Sequence, residues 1–137
     1  MIVARVVEIL KEEPVINTAL VGGVWPIQWP DAPTFPLAIV QKATTMGEAD
    51  MNGGAGIESA RVQIDVYGDR GYAQVAEIAR DIKRRLHGSR VGPASAPCAI
   101  NASFCINDAD QPVPEAERAG PRLRRRMLEF RIWTTEV

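Results

Sequence analysis

Residues 61–72, Arg61-Val62-Gln63-Ile64-Asp65-Val66-Tyr67-Gly68-Asp69-Arg70-Gly71-Tyr72, decide how this chain folds. Up to Tyr67 the residues alternate, which puts Val62, Ile64 and Val66 on one face of a strand and Arg61, Gln63, Asp65 and Tyr67 on the other. Gly68 and Gly71 bracket Asp69-Arg70 in a turn, and the period then becomes helical. Tyr72, Val75, Ala79, Ile82 and Leu86 form an apolar stripe beside the charged face of Glu77, Arg80, Asp81, Arg84 and Arg85. Burying Val75, Ile82 and Leu86 is worth roughly 1.5–3 kcal/mol each, so packing on a sheet holds this helix more than intrinsic helicity does.

Towards the N-terminus, Ile2, Val6, Ile9 and Leu10 recur at helical spacing across residues 1–12. Pro14 ends that helix or opens a second short turn, which stops at Gly22-Gly23. Val24-Trp25-Pro26 suits a short edge strand. Pro26, Pro30, Pro33 and Pro36 then punctuate a connection that cannot be a central strand, because proline donates no ladder bond. Its aromatics, Trp25, Trp29 and Phe35, fit either partner anchors or clamps over the chain's own core. Residues 37–45 read as the next strand, with both faces partly covered. Residues 47–56 contain Gly47, Gly53, Gly54 and Gly56 with few apolar groups, and are expected to form a mobile loop.

Towards the C-terminus, residues 88–97 read as irregular. Residues 98–107 alternate again, with Cys98, Ile100, Ala102, Phe104 and Ile106 expected inward and Ala99, Asn101, Ser103, Cys105 and Asn107 outward. Residues 108–121 read as a long excursion between strands. The last strand, residues 122–135, places Leu128, Phe130 and Ile132 on the core face and Met127, Glu129, Arg131 and Trp133 opposite, with its arginine-rich start expected to project beyond the core. The expected fold is α+β: a single domain over residues 1–137, mainly an antiparallel sheet with a mixed one left open, and two main helices on one face.

The chain has 137 residues, enough for a core without a metal or disulfide staple. Its 16 basic and 17 acidic side chains argue against a general nucleic-acid coat. It has no run of about 18 apolar residues, and residues 1–5 lack the pattern of a signal peptide. It therefore reads as a soluble intracellular protein. Cys98 and Cys105 are an odd number of residues apart, which would point them to opposite faces and preclude a disulfide. His87, the only histidine, sits at a helix end, where an imidazolium near the last carbonyls is an ordinary local interaction.

No cofactor or metal set emerges: two cysteines and one histidine do not supply the four donors of a zinc site. Gly53-Gly54-Ala55-Gly56 lacks the Lys-Ser/Thr of a phosphate loop, and Asn101-Ala102-Ser103 is a sequon by chance in a strand. Cys105 as a nucleophile would require a base that the sequence does not identify. The cluster Arg118, Arg122, Arg124, Arg125 and Arg126 admits two readings, a phosphate-contacting patch of a small DNA-binding module or a set of cations paired with carboxylates.

Three strands direct Arg61, Gln63, Asp65, Tyr67, Asn101, Ser103, Asn107, Glu129, Arg131 and Trp133 away from the helices. Such a face suits either solvent or a polar subunit interface. A chain of this mass exposes about 7,000 Å², and a ring subunit gives up roughly 800 Å² at each of two contacts. About a quarter of the surface would then be interface.

Several segments together resemble the tail-completion, or tail-terminator, proteins of long-tailed phages and prophages. They are Asn17-Thr18-Ala19-Leu20-Val21-Gly22-Gly23 with Trp25-Pro26, Phe35-Pro36-Leu37 with Val40-Gln41, Ala60 through Tyr67 with Tyr72, and Arg124-Arg125-Arg126-Met127-Leu128-Glu129-Phe130-Arg131-Ile132-Trp133. The departures lie in residues 46–56 and 88–97. The resemblance implies a non-enzymatic virion protein, located in the virion tail and in the bacterial host cytoplasm during assembly. It implies a homo-oligomeric ring, usually a hexamer, that caps the tail tube protein and meets the head-tail connector protein, with DNA passing through without sequence-specific binding. A ring is a closed heterologous interface in which one patch binds a different patch on the neighbour. The expected subunit or partner interface comprises Arg61, Gln63, Asp65, Tyr67, Arg124, Arg126, Arg131 and Trp133, with residues 46–56 and 107–120 on the faces of the ring.

Overall fold

The computed structural model describes residues 2–50, 53–88, 98–111, 113 and 123–136. The elements are α1 (Ile2–Glu12), α2 (Pro14–Ala19), β1 (Val24–Pro26), β2 (Leu37–Asp50), β3 (Gly53–Gly68), α3 (Tyr72–Leu86), β4 (Cys98–Gln111) and β5 (Arg124–Glu136). The five strands form one sheet in the order β1-β2-β3-β5-β4. Only the β1–β2 pair is parallel, so the sheet is mixed and the fold is α+β. The strand with the clearest alternation, β3, occupies the middle.

The main core lies between the sheet and the helices. Val62, Ile64 and Val66 of β3 and Leu128, Phe130 and Ile132 of β5 are fully buried there. They meet Val6, Ile9 and Leu10 of α1 and Val75, Ile78, Ala79, Ile82 and Leu86 of α3. The stripe on α3 differs from expectation at two positions. Ile78 is buried, whereas Tyr72 at the first turn stands exposed with the Arg124 guanidinium 4.8 Å over its ring. Pro14 opens α2, where its missing N–H costs nothing, and Gly23 turns the chain at a φ of 89° before β1.

A second, smaller cluster covers part of the opposite face. Leu37, Ile39, Tyr67, Val113 and Leu123 are buried in it, with Trp29 and Phe35 packed against them. The proline-punctuated connection thus folds back over the sheet. Trp29 makes edge contacts with Phe35 at 5.4 Å and with Tyr67 at 4.8 Å. Both faces of residues 37–40 are consequently buried, as their apolar run implies.

Four expectations need correction. Of the glycine-rich residues 47–56, those described, 47–50 and 53–56, are strand, with Gly47 opposite Glu58, Ala49 opposite Gly54 and Asp50 opposite Gly53. Ladder bonds join backbone to backbone, so glycines can pair without side chains to bury. Strand β4 also runs on to Gln111 where an excursion from 108 was expected; residues 89–97, 112 and 114–122, including Arg118 and Arg122, lie outside the described residues.

The alternation of β4 holds at Ile100, which is buried, but is inverted between two bulges. Register shifts between Ile100 and Ala102 and between Cys105 and Asn107 each insert one residue. Ser103 is therefore buried opposite Ile132 and Cys105 turns to the core, whereas Phe104 and Ile106 are exposed. About 20 Å of extended chain between positions 98 and 105 prevents a bridge, whatever their faces. The fourth correction concerns the arginine-rich start of β5, which does not project: Arg124, Arg125 and Arg126 stand in register with Gly68, Tyr67 and Val66.

The turn into β1 sets the position of the returning connection. A Cβ on Gly22 would lie 1.6 Å from the Thr34 carbonyl oxygen, so only glycine allows the two segments this close. Gly22→Ala is expected to cost about 1–3 kcal/mol in urea denaturation through forced backbone displacement; wild-type stability in that variant would contradict this packing.

Candidate functional site

The residues expected at an interface fall mainly into three environments, with Gln63 on the border of the first and third, and Arg124 apart over the Tyr72 ring. The first is buried. Asp65 is only 2% exposed, and its Oδ1 accepts from Arg125 Nε at 3.0 Å while Gln63 Nε2 donates to Oδ2 at 2.9 Å. Tyr67 is sealed beside it by Trp29, with the Arg125 guanidinium 5.9 Å from its ring centre. Placing Asp65 and Tyr67 on an uncovered face was therefore incorrect: the connection and residues 113 and 123 cover that half of the sheet. An aspartate already satisfied inside its own chain has no free charge to offer a neighbour.

The second environment is the seam where α3, β4 and β5 meet. Arg126 Nε donates to Asp108 Oδ1 at 2.6 Å and Nη1 to Asp110 Oδ1 at 3.1 Å, while Lys83 Nζ donates to Asp108 Oδ2 at 2.9 Å. Burial pushes Asp108 up, but hydrogen bonds and charge from Arg126 and Lys83 outweigh it and hold the carboxyl below its ordinary range. The hydrogen bond and charge of Asp108 raise Lys83 in turn. Two long-range carboxylate partners, Asp65 and Asp108, thus pair with Arg125 and Arg126; Arg118 and Arg122 of the same cluster lie outside the described residues.

The third environment is open. On the uncovered half of the outer face, Arg61 Nε donates to Glu129 Oε1 at 2.9 Å. Arg131 lies 5.0 Å over the Trp133 ring, and Trp133 meets Phe104 edge-on at 5.9 Å. Arg61 and Arg131 are directly opposite on neighbouring strands, where like charges repel unless each has a separate partner. Glu129 and the Trp133 ring supply those partners. Of the expected residues, only Arg61, Gln63, Arg131 and Trp133 share this surface. Phe104 joins them and was missed because its position was read in the wrong phase.

His87 and Cys105 do not form a nucleophile and its base. His87 Nδ1 accepts the backbone N–H of Cys105 at 3.0 Å, and Gly88 N–H donates to the Ser103 carbonyl at 2.6 Å. Both bonds cap outward backbone groups of β4, so the imidazole serves the sheet edge rather than the last helical carbonyls. Burial raises the Cys105 thiol above its ordinary value, contrary to the activation a nucleophile needs.

The chain matches the family described as "Tail completion protein gp17" over residues 4–135. It is similar in fold to a chain of a solved structure described as "Virion of native gene transfer agent (GTA) particle", with a TM-score of 0.69 and 18% identity. That similarity covers 95% of this chain and 91% of the other. No curated protein matches the chain.

Removing Arg125 should strand a buried carboxylate, so Arg125→Ala is expected to lose about 3 kcal/mol in urea denaturation; a loss under about 1 kcal/mol would contradict the Asp65 pairing. Asp108 gives a pH signature. Its folded carboxyl is depressed, so its contribution is present above about pH 4, the unfolded value, and disappears as pH falls through the lower folded value. Asp108→Asn should therefore flatten the acid limb of the stability curve; an unchanged limb would count against the seam.

Proposed function

The chain belongs to the tail completion protein gp17 family, whose members are structural tail proteins of phage-like virions and not a known class of enzyme, and from that premise we propose that it closes the tail tube as a homo-oligomeric ring, six copies in the expected case, and joins the tube to the head connector. The ring would be built from one domain per copy, assembled in the host cytoplasm and retained in the particle. One observation carries this reading beyond the family: among the described residues the connection covers one half of the outer sheet face, while the other half carries exposed Arg61 and Phe104 with half-buried Gln63, Arg131 and Trp133.

That contrast supports an assembly role. If the whole face served only solvent, the Trp29–Phe35–Tyr67 clamp would have no reason to stop halfway along β3. If the whole face served the fold, the exposed Phe104 ring would be covered. The open half has the mixed character of a contact surface: aromatic groups for area, and ion-paired or stacked arginines for orientation. The hairpin of β2 and β3 extends beyond the last β3–β5 pair, Ile57 with Thr135, as a backbone-paired arm suited to one face of the ring.

DNA would pass through such a ring without being held. Arg61, Arg125 and Arg126 are all ion-paired within the chain, which limits the counterion release that drives phosphate binding. Termination requires the two ring faces to differ, one fitting the tube end and the other not.

Electron microscopy of the purified chain mixed with tail tubes tests this reading. The expected images show closed rings at a single end of each tube. Bare tube ends beside a monomeric chain at saturating concentration would overturn it.

A further inference from the structure

Val15 on α2 and Tyr72 on α3 apart, the large apolar side chains left exposed gather at two places. Among the described residues they include Val21 at 71%, Trp25 at 39% and Ile27 at 69% beside β1, and Phe104 at 45% and Ile106 at 49% on β4. These are the two opposite edges of the sheet. The β1 side is also nearly free of charge: between Pro14 and Gln41 the only ionisable side chain is Asp31. Uncharged apolar surface of that extent is the composition of an interface centre rather than of a solvated edge.

Ile27 sharpens the argument. It is the one described non-glycine residue with a positive φ, 69°, and the Gln28 N–H donates to the Pro26 carbonyl at 2.7 Å around it. That is a classic γ-turn, rare for any residue and unfavourable for a β-branched one. Glycine would turn the chain there without strain. The isoleucine side chain recovers little inside the chain, because 69% of its surface stays in solvent. Backbone strain that holds an apolar side chain outward is explained if the side chain is buried in the assembled state.

The other edge has a receptor for it. A groove of about 530 Å³ runs between α3 and β4, with Ile106 and Cys105 in its wall and Arg80, Arg84 and His87 along its rim. Ile106 is the residue that the second bulge of β4 adds to the strand and leaves exposed. The one acidic group in the lining, Asp108, is paired with Lys83 and Arg126, which leaves the rim with an excess of basic groups, and the lone charge on the β1 side is acidic. The His87 and Gly88 caps occupy β4's outward groups at Ser103 and Cys105, so a neighbour there must pack by side chains rather than add a strand.

We propose that the occupant of this groove is a second copy of the same chain, whose Val21–Trp25–Ile27 edge packs against Phe104 and Ile106. The contact is heterologous, joining two different patches on opposite edges, and repeats from copy to copy until it closes. It rests on the ring reading above and names its subunit seam.

The test uses the full chain with Ile27→Cys and Ile106→Cys, together or singly, in a background carrying Cys98→Ala and Cys105→Ala. With a short bis-maleimide, the double variant should give a ladder of linked species beyond the dimer. Each single variant alone should give none through this contact, and an equimolar mixture of the two singles should stop at dimers. As a second reading in the otherwise native chain, Ile27→Gly should keep the wild-type melting temperature, since it removes strain, yet lose assembled mass by light scattering. If the native chain assembles while the ladder is absent and Ile27→Gly assembles fully, this seam is wrong and the ring reading stands. If the native chain neither assembles nor caps tail tubes, the ring reading fails and the seam with it.

Discussion

Strand β3 is buried on both faces from Ile64 to Tyr67 and on one face at residues 61–63, and the rest of the molecule is arranged around that changeover. Val62, Ile64 and Val66 are committed to the helix side, while Asp65 and Tyr67 are committed to the cluster beneath the proline-rich connection. The two commitments fix the register absolutely. A slip of one residue would drive Asp65 and Tyr67 into the main core and carry the valines and isoleucine away from it. The Asp65–Arg125 pair, held between β3 and β5 from positions far apart in sequence, makes such a slip costlier still.

With β3 fixed, the outer surfaces acquire distinct uses. The helix face is consumed by the core. Half of the opposite face is consumed by Trp29, Phe35 and Tyr67. The seam of Lys83, Asp108, Arg126 and Asp110 ties α3 to β4 and β5, and the His87 and Gly88 bonds close the middle of the β4 edge to an added strand. Among the described residues, the surfaces not consumed in this way include the outer-face group around Arg61 and Arg131 and the apolar side chains of the two sheet edges. For a protein whose family acts through assembly, the chemistry on these surfaces is that of packing and orientation.

Much of this was legible in the sequence, because the central elements obey simple periods. The alternation from Arg61 to Tyr67, the core positions Leu128, Phe130 and Ile132, and most of the stripes on α1 and α3 follow from side-chain direction alone. The phase of β4 did not follow. Its bulges near Asn101 and Ile106 depend on pairing with β5, and neither carries a residue type that announces one. The strand at residues 47–50 and 53–56 was missed for a related reason: glycine-rich sequence signals little, yet a ladder needs only backbone. The pairing of Arg125 and Arg126 with Asp65, Asp108 and Asp110 was equally hidden, since it depends on which strands become neighbours. The outward direction of Arg61, Gln63, Arg131 and Trp133 followed from the alternation, but how much of that face the chain covers depended on a connection whose direction local sequence does not encode.

Amide hydrogen exchange, compared between the free chain and the chain bound to tail tubes, tests most directly whether the surfaces left uncovered are the ones used. Residues 65–67, already covered on both faces, should exchange at the same slow rate in both states. Protection should be gained at residues 21–27 and 104–107 and around Arg61 and Arg131. Unchanged exchange in all of those segments, with binding to tubes verified in the same sample, would contradict the account.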